Sequence, residues 1–321
     1  MNEEYLWDRS GEQDEEIVRL EAVLGQLGWS GPRQCVTESK PSRWIQRKSL
    51  WAAAAAVLLI GMGTIIYMQG MRSKGPVTSW HLSLAGGKAR AVRAGQVIET
   101  TRATYGTMES EFVGRVSIDP NSQLRLLTAR DDEQRLALDH GTIHALIWAP
   151  PARFVVDTPS ARAVDLGCQY TLHVAKDGAG LLTVEKGWVA FQWRDVESFI
   201  PAGAACTTRR IRGPGTPHYL DAPATLTAAL YQFDSTENGD ALKVVLSSAR
   251  RRDALTLWHL LSRTHGQQRV EVLNAFAALV DLPSSVQQRG ILAGDQESMD
   301  AAWDALQLGN TSWWREWKRQ W

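Results

Sequence analysis

Cysteine and histidine are the residue types in this chain that could bind a metal ion or act in catalysis. The 321 residues include three cysteines and seven histidines. No two cysteines have metal-ligand spacing, and the sequence has no nucleophile elbow, phosphate loop or paired zinc motif. His140, His144 and His173 fall in predicted strands or turns, and His259 and His265 are expected at the surface or in the core. We therefore expect no metal, no cofactor and no enzymatic activity.

The cysteines lie on both sides of a long uncharged stretch. Cys35 precedes that stretch, whereas Cys168 and Cys206 follow it. If the second part of the chain is exported, Cys168 and Cys206 are in an oxidising compartment. A Cys168–Cys206 disulfide would close a loop of about 38 residues and stabilise the fold by roughly 3–4 kcal/mol. Two separate buried thiols are the alternative.

Residues 50–68 contain no charged side chain. A helix of this length reaches about 28 Å, close to the ~30 Å hydrocarbon core of a bilayer. A signal peptide is disfavoured because a long polar segment comes first, and a buried core helix would usually show a polar face. The stretch predicts one transmembrane helix over residues 49–70.

Lysine and arginine near the ends of this stretch predict its orientation. Five such residues lie shortly before it and three lie over a similar distance after it. The excess places the amino terminus in the cytoplasm. We therefore expect a single-pass protein of the inner membrane with most of its mass in the periplasm.

Residues 1–48 form a polar cytoplasmic segment with one predicted amphipathic helix. Its apolar residues recur at helical spacing and form one stripe, made of Ile17, Leu20, Val23, Leu24 and Leu27. A single amphipathic helix cannot bury its own apolar face. The stripe therefore predicts a partner-binding surface for another protein, a second copy of the chain or the membrane surface.

The remaining residues predict two regions with different hydrophobic periods. Residues 75–220 show repeated alternation of apolar and polar side chains between turn signals, which indicates a β-domain built as a sandwich, a roll or a solenoid. From about residue 221 to residue 321 the period becomes helical. The fold class is therefore α+β and multidomain, with four segments in all.

Five short segments of the β-region resemble motifs of the FecR family of transmembrane regulators. They are residues 141–147 (GTIHALI), 154–159 (FVVDTP), 165–174 (DLGCQYTLHV), 182–189 (LTVEKGWV) and 201–203 (PAG). The resemblance covers roughly residues 90–210. Cys168 stands where the family usually has threonine, which agrees with a disulfide to Cys206 just beyond the last motif. The helical region has no counterpart in the iron-uptake regulators of the family.

The resemblance implies an anti-sigma-like regulator that couples a periplasmic sensing domain to a cytoplasmic sigma factor. It leaves the stimulus and the periplasmic ligand or protein partner open. A membrane-anchored binding or scaffold module of the cell envelope, without sigma-factor control, is the alternative. The formal net charge is zero, which argues against direct binding to nucleic acid.

Overall fold

The computed structural model divides the chain into two compact units, Met1–Arg72 and Ser73–Trp321. It describes residues 78–85, 87–283 and 288–309, together with the single residue Arg19. The second unit therefore contains nearly all of the described residues.

Several predicted features lie outside the described residues. They are the transmembrane helix over residues 49–70 and the apolar stripe of Ile17, Leu20, Val23, Leu24 and Leu27. Arg19, which lies within the predicted amphipathic helix, is helical and exposed. In the part of the chain that the structure describes, no helix combines the length and apolar character needed to cross a membrane.

Sixteen strands fall within the described residues. In chain order they are β1 Trp80–Leu84, β2 Arg90–Val92, β3 Val97–Glu99, β4 Gly106–Ser110, β5 Gly114–Ile118, β6 Gln123–Arg130, β7 Glu133–Ile147, β8 Phe154–Asp157, β9 Arg162–Asp165, β10 Gln169–Val174, β11 Gly180–Lys186, β12 Trp188–Trp193, β13 Val196–Pro201, β14 Ala204–Arg209, β15 Gly213–Pro214 and β16 His218–Tyr219. These strands confirm the predicted β-domain.

The strands form two sheets that share β7. The first sheet has the order β3-β6-β7-β8-β9-β12-β13, and the second has the order β2-β1-β4-β5-β7-β10-β11-β14, with β15 and β16 paired to β14. Every pair is antiparallel except β7 with β8. A solenoid stacks parallel strands, so the antiparallel order favours the roll or sandwich among the predicted alternatives.

The long strand β7 changes sheets at Gly141. Its first half pairs with β6 and its second half pairs with β5. Gly141 has a φ of +104°, and a Cβ built there would lie 2.2 Å from the hydroxyl oxygen of Ser122. Only glycine fits this combination of conformation and close approach. The glycine therefore allows one strand to join the two sheets.

The core of the β-domain consists of aliphatic side chains at alternate positions along the strands. Leu124 and Leu126 in β6 and Leu136 and Leu138 in β7 are 0% exposed. This period of two places them between the sheets. The alternation read from the sequence therefore identifies the core correctly.

Six α-helices follow β16 in the described residues. They are α1 Ala224–Thr236, α2 Gly239–Ser248, α3 Ala254–Arg263, α4 Gly266–Leu279, α5 Gln288–Ala293 and α6 Gln296–Asp304. Asn238 and Asp295 cap α2 and α6 by accepting hydrogen bonds from backbone N–H groups. The predicted change to helical structure after about residue 221 is confirmed.

One predicted helix starts later than expected. The sequence predicts a helix over residues 249–264, whereas the structure begins with a short 3-10 helix at Arg251–Asp253 that runs directly into α3. Asp253 is fully buried and its carboxylate accepts hydrogen bonds from the backbone N–H and the side chain of Arg250. This capping arrangement fixes the start of the helical segment.

An aromatic cluster packs the helical region against the β-domain. The ring centroid of Trp303 in α6 lies 4.7 Å from that of Trp258 in α3, 5.8 Å from that of Trp188 in β12 and 5.9 Å from that of Phe199 in β13. The indole N–H of Trp258 also donates to the carbonyl of Met299 at 2.9 Å. Tilted and edge-to-face rings at these distances add to the energy of apolar burial.

Candidate functional site

Two places bring together polar side chains from different strands or helices. We call the first the seam, which is the contact of β13–β16 with helices α1 and α3. We call the second the open face, which is the outer surface of the second sheet at β5, β7, β10 and β11. The two places differ in burial, because the seam lies inside the folded unit and the open face is exposed.

His259 joins α3 to an edge strand of the first sheet. Its Nε2 accepts a hydrogen bond of 3.0 Å from the backbone N–H of Phe199, and its Nδ1 donates to the carbonyl of Leu255 at 2.9 Å. Both bonds suit the neutral ring, and burial lowers the pKa of His259 to about 3. The strand at the edge of a sheet has backbone groups without a strand partner, and these can pair with further strands. His259 accepts from one such group, the backbone N–H of Phe199, and α3 covers this edge.

Two more side chains of α3 bind carbonyl groups of the β-domain. Arg263 donates to the carbonyl of Pro214 at 2.9 Å and to the hydroxyl of Ser198 at 2.6 Å. Thr256 donates from its hydroxyl to the carbonyl of Pro217 at 2.8 Å. The helix is therefore held in one position on the sheet by directional contacts.

Two of the histidines noted in the sequence, His144 and His173, lie on the open face. His144 contacts the hydroxyl of Thr171 through Nδ1 at 2.9 Å and both carboxylate oxygens of Asp119 through Nε2 at 3.2 Å. His173 contacts the hydroxyl of Thr142 through Nδ1 at 2.9 Å. Both histidines are exposed. Neighbouring strands thus bring together residues that are about 30 positions apart.

The open face does not contain a recognisable metal centre. Across the described residues, no group of three or more histidine, cysteine or acidic side chains converges as metal ligands would. His144 and His173 instead contact threonine hydroxyls of the adjacent strand. This arrangement suits hydrogen bonding to a partner rather than coordination of a cation.

Large apolar side chains lie beside these histidines. Leu146 follows His144 on the same face of β7 and is 42% exposed, and Trp148 and Phe112 at the adjacent turns are 52% and 75% exposed. The indole N–H of Trp148 donates to the carbonyl of Glu111 at 2.8 Å. Exposed aromatic rings with polar neighbours are typical of protein-binding surfaces.

The predicted Cys168–Cys206 disulfide is wrong. Both residues are buried free thiols. Cys206 in β14 is opposite Leu182 in β11, which is opposite Leu172 in β10. Cys168 lies four residues before Leu172 and two strands away from Cys206. At about 4.8 Å per strand and about 3.3 Å per residue, their Cα atoms are roughly 16 Å apart, more than twice the ~7 Å that a disulfide allows.

Each thiol donates to a buried acceptor instead. Cys168 donates to the carboxylate of Asp165, and Cys206 donates to the carbonyl of Gly215 at 3.1 Å. Burial raises the pKa of both thiols, that of Cys206 to about 12. The alternative of two separate buried thiols is therefore confirmed. Thiols with raised pKa values are poor nucleophiles.

Asp165 is the most unusual ionisable group of the β-domain. It is 1% exposed, and its carboxylate accepts from the backbone N–H of Gly167 at 2.7 Å as well as from the thiol of Cys168. Burial raises the pKa of Asp165 to about 7, against the lowering effect of these hydrogen bonds. The hydroxyl of Tyr170 is buried nearby without a hydrogen-bond partner. A polar cluster thus lies inside the sheet at the motif of residues 165–174.

Residues 96–190 match the family model described as FecR protein. The match begins just before β3 and ends within β12, and all but the last of the five sequence motifs lie inside it. This part of the chain is a FecR domain. The helical region and strands β13–β16 lie beyond the match. The resemblance read from the sequence is confirmed for these residues.

Two solved structures are similar to part of the chain. Both are crystal structures of a candidate anti-sigma factor from Parabacteroides distasonis, each with 15% identity and a TM-score of 0.35 over 43% of this chain. This chain spans 65% of one and 64% of the other, slightly less than two thirds of their lengths. No curated protein matches the chain.

Proposed function

We propose that this chain is a single-pass regulator of the inner membrane, in which a periplasmic FecR domain controls a cytoplasmic sigma factor. The observation that carries this proposal is the FecR domain at residues 96–190. The family resemblance links such domains to sigma-factor regulation in chains with a short amino-terminal segment and one span. The sequence predicts the same order of segments in this chain.

The membrane part of the proposal is supported by the uncharged stretch at residues 50–68. Its length suits a bilayer, and the excess of lysine and arginine before it favours a cytoplasmic amino terminus. In this orientation the FecR domain and the helical region lie in the periplasm. Protease added to spheroplasts should then digest the carboxy-terminal bulk and spare the amino-terminal segment.

The contact with the sigma factor is assigned to the amphipathic helix that the sequence predicts in the amino-terminal segment. Its stripe of Ile17, Leu20, Val23, Leu24 and Leu27 offers an apolar surface, as helix-in-groove recognition requires. The signal enters at the periplasmic domain, for which the open face offers exposed hydrogen-bonding and aromatic groups. The chain acts by binding rather than by catalysis in this proposal.

Co-purification of the full-length protein in detergent tests this contact. The stripe variant carries Leu20→Asp and Leu24→Asp, and the control carries Arg19→Ala at an exposed helical position. We expect the wild-type protein and the control to retain a sigma factor identified by mass spectrometry. We expect the stripe variant to lose it while it remains in the membrane fraction, because charges on the stripe oppose burial in a partner groove.

A second readout separates the proposal from the scaffold alternative. Transcript profiles should change in the stripe variant and in a deletion strain, but not in the Arg19→Ala control. If the stripe variant and the deletion leave transcription unchanged, the protein is not a sigma-factor regulator. The chain would then be a membrane-anchored binding module with an incidental amino-terminal segment.

A further inference from the structure

A cavity of about 350 Å³ opens in the seam between the β-domain and the helical region. One wall is formed by the end of β14 and by β15, and the other by side chains of α1, α3 and the residues that follow them. The cavity lies beyond the residues that match the FecR model. Because both regions contribute to its lining, anything that fills it contacts the β-domain and the helices together.

Arg263 in this cavity lacks a carboxylate partner. Its guanidinium is mostly buried and donates to the carbonyl of Pro214 and the hydroxyl of Ser198, while its buried Nε has no hydrogen-bond partner. Burial lowers the pKa of Arg263, and Asp234 raises it to a smaller extent. A cation that is removed from water without a paired anion carries a large desolvation cost.

Arg209 lines the same cavity and also lacks a carboxylate partner. Its guanidinium lies 4.0 Å above the ring of Tyr231 and donates to the hydroxyl of Ser235 and the carbonyl of Tyr231. The ring stacking holds the group in a fixed direction. Arg209 and Arg263 therefore offer two guanidinium groups, fixed by neutral partners, to one space.

The acidic residues of the cavity are already engaged. Asp234 accepts bonds of 2.7 Å from both the backbone N–H and the hydroxyl of Thr216. Glu237 forms an ion pair of 3.3 Å with Arg212. Asp234 contacts only neutral groups of Thr216 and keeps its charge, so Arg209, Arg212 and Arg263 face two carboxylates, which leaves one positive charge in excess at the cavity.

We propose that this cavity binds a small molecule with two acidic groups, either carboxylates or phosphate oxygens. Guanidinium groups are suited to both because their planar N–H donors match the geometry of these anions. Arg209 would bind one acidic group at the rim, and the guanidinium of Arg263 would bind the other deeper in the cavity. The bound molecule would link β14 and β15 to α1 and α3 and so stabilise the seam.

A role of this cavity in signalling rests on the proposed function, but binding of an anion in the cavity does not. Binding is measured on the purified full-length chain without a sigma factor. A chain that binds the anion and no sigma factor would contradict the proposed function alone, and the reverse result would contradict the cavity alone.

Calorimetric titration of the full-length protein in detergent tests the site. The probes are succinate and inorganic phosphate, each compared with sodium chloride at equal ionic strength. We expect saturable binding of at least one probe at a single site. Binding of succinate alone would identify a dicarboxylate ligand, and binding of phosphate alone would identify a phosphate-bearing one. If neither probe binds above the salt control, the proposal is wrong.

Two variants and a control locate the binding. Arg209→Gln at the rim should weaken binding at least tenfold, and Arg263→Lys, which keeps a cation but removes the planar guanidinium, should do the same. Arg115→Gln is the control, because Arg115 is exposed on β5 and paired with Glu109 at 2.6 Å. Unchanged binding in the Arg209→Gln and Arg263→Lys variants would overturn the assignment.

Hydrogen exchange gives a readout that does not depend on the variants. Saturation with the bound probe should slow exchange of backbone amides in residues 207–215 and 233–237, which contribute to the two walls of the cavity. Amides on the open face, in residues 142–148, should not change. Protection confined to the open face would place the anion elsewhere and contradict the proposal.

Discussion

The β-domain and the seam are stabilised by different kinds of contact. Inside the β-domain, aliphatic side chains such as Leu124, Leu136 and Leu138 are fully buried and contact one another without direction. In the seam, Thr256, His259 and Arg263 bond single backbone or side-chain groups of the opposite region. Apolar packing tolerates small shifts, but hydrogen bonds to particular groups do not. The difference indicates that the helical region occupies one defined position on the sheet.

The two regions also differ in how their buried ionisable groups respond to pH. In the β-domain, burial raises the pKa of Asp165 to about 7 and favours the protonated acid. In the seam, burial lowers the pKa of His259 to about 3 and favours the neutral base. Acidification should therefore stabilise the first region and destabilise the second. Variants that remove one group at a time can separate the two effects.

Truncation of the aromatic cluster should give the largest effect. Trp303→Ala removes a side chain that is 1% exposed and contacts the rings of Trp258 and Phe199. We expect a loss of about 3–5 kcal/mol in the free energy of unfolding, measured by urea denaturation. Hydrogen exchange should increase throughout the helices and less in the β-domain.

The matched control for this change is Phe112→Ala, at a side chain that is 75% exposed. Its effect on unfolding should stay within about 0.5 kcal/mol. A loss of less than about 1 kcal/mol in the Trp303→Ala variant would show that the cluster does not hold the helical region on the sheet.

His259→Gln should remove the acid sensitivity of the seam. The pKa of His259 is about 3 in the folded protein, below the ~6.5 of an unfolded histidine. The unfolded chain therefore takes up a proton first as the pH falls, and stability is lost between about pH 6.5 and pH 3. This histidine should account for about 3 kcal/mol of that loss between pH 7 and pH 4.

Urea denaturation at several pH values measures this loss in the wild-type and variant proteins. Phe199→Leu serves as a control for packing, since it keeps the backbone N–H that bonds His259. It should lower stability equally at every pH. The free energy of unfolding of the His259→Gln protein should change less between pH 4 and pH 7 than that of the wild type. If the two proteins show the same pH dependence, the seam is not the acid-sensitive region.

Asp165→Asn should have a smaller effect of the opposite sign. The pKa of Asp165 is about 7 when folded, against ~3.9 in an unfolded chain. The unfolded chain loses its proton first as the pH rises, so this carboxyl contributes stability at low pH that declines as the pH rises through 7. The wild-type free energy of unfolding should therefore lose about 2 kcal/mol between pH 5 and pH 7 through this carboxyl, and Asp165→Asn should abolish that loss.

The Asp165→Asn measurement needs a control at an exposed acid. Asp119→Asn on the open face makes the same substitution at a half-exposed side chain, 46% accessible, and so separates the loss of a surface charge from the effect of burial at Asp165. In the double variant Asp165→Asn, His259→Gln, the free energy of unfolding should depend little on pH between pH 4 and pH 7. A strong remaining dependence would point to other buried groups.

The sequence predicts the local structure of the chain better than its long-range contacts. Alternation in β6 and β7 and the helical period after residue 221 depend on neighbouring residues, so these elements were predicted. The later start of α3, with a 3-10 turn at Arg251–Asp253, was missed because it depends on the burial of Asp253 in the folded unit. Propensity alone does not record such tertiary context.

The candidate sites show the same limit more clearly. The disulfide prediction used compartment and cysteine count, but the register of β10, β11 and β14 separates Cys168 from Cys206. His259 was assigned only to the surface or core, since its acceptor role depends on Phe199, 60 residues earlier in the chain. Contacts between strands and helices that are this far apart in the chain cannot be predicted from hydrophobic periodicity or turn residues, which depend only on neighbouring positions.

Substitution of the open face should have the smallest effect on stability and a selective effect on function. His144→Ala removes exposed contacts to Asp119 and Thr171, and exposed pairs contribute at most about 1 kcal/mol. If the open face receives the signal, the sigma-dependent transcript response should nevertheless change. His81→Ala on β1 of the same sheet, which is also exposed, is the matched control. An unchanged response in the His144→Ala variant, together with an altered one after Arg209→Gln, would move the sensing surface from the sheet to the seam.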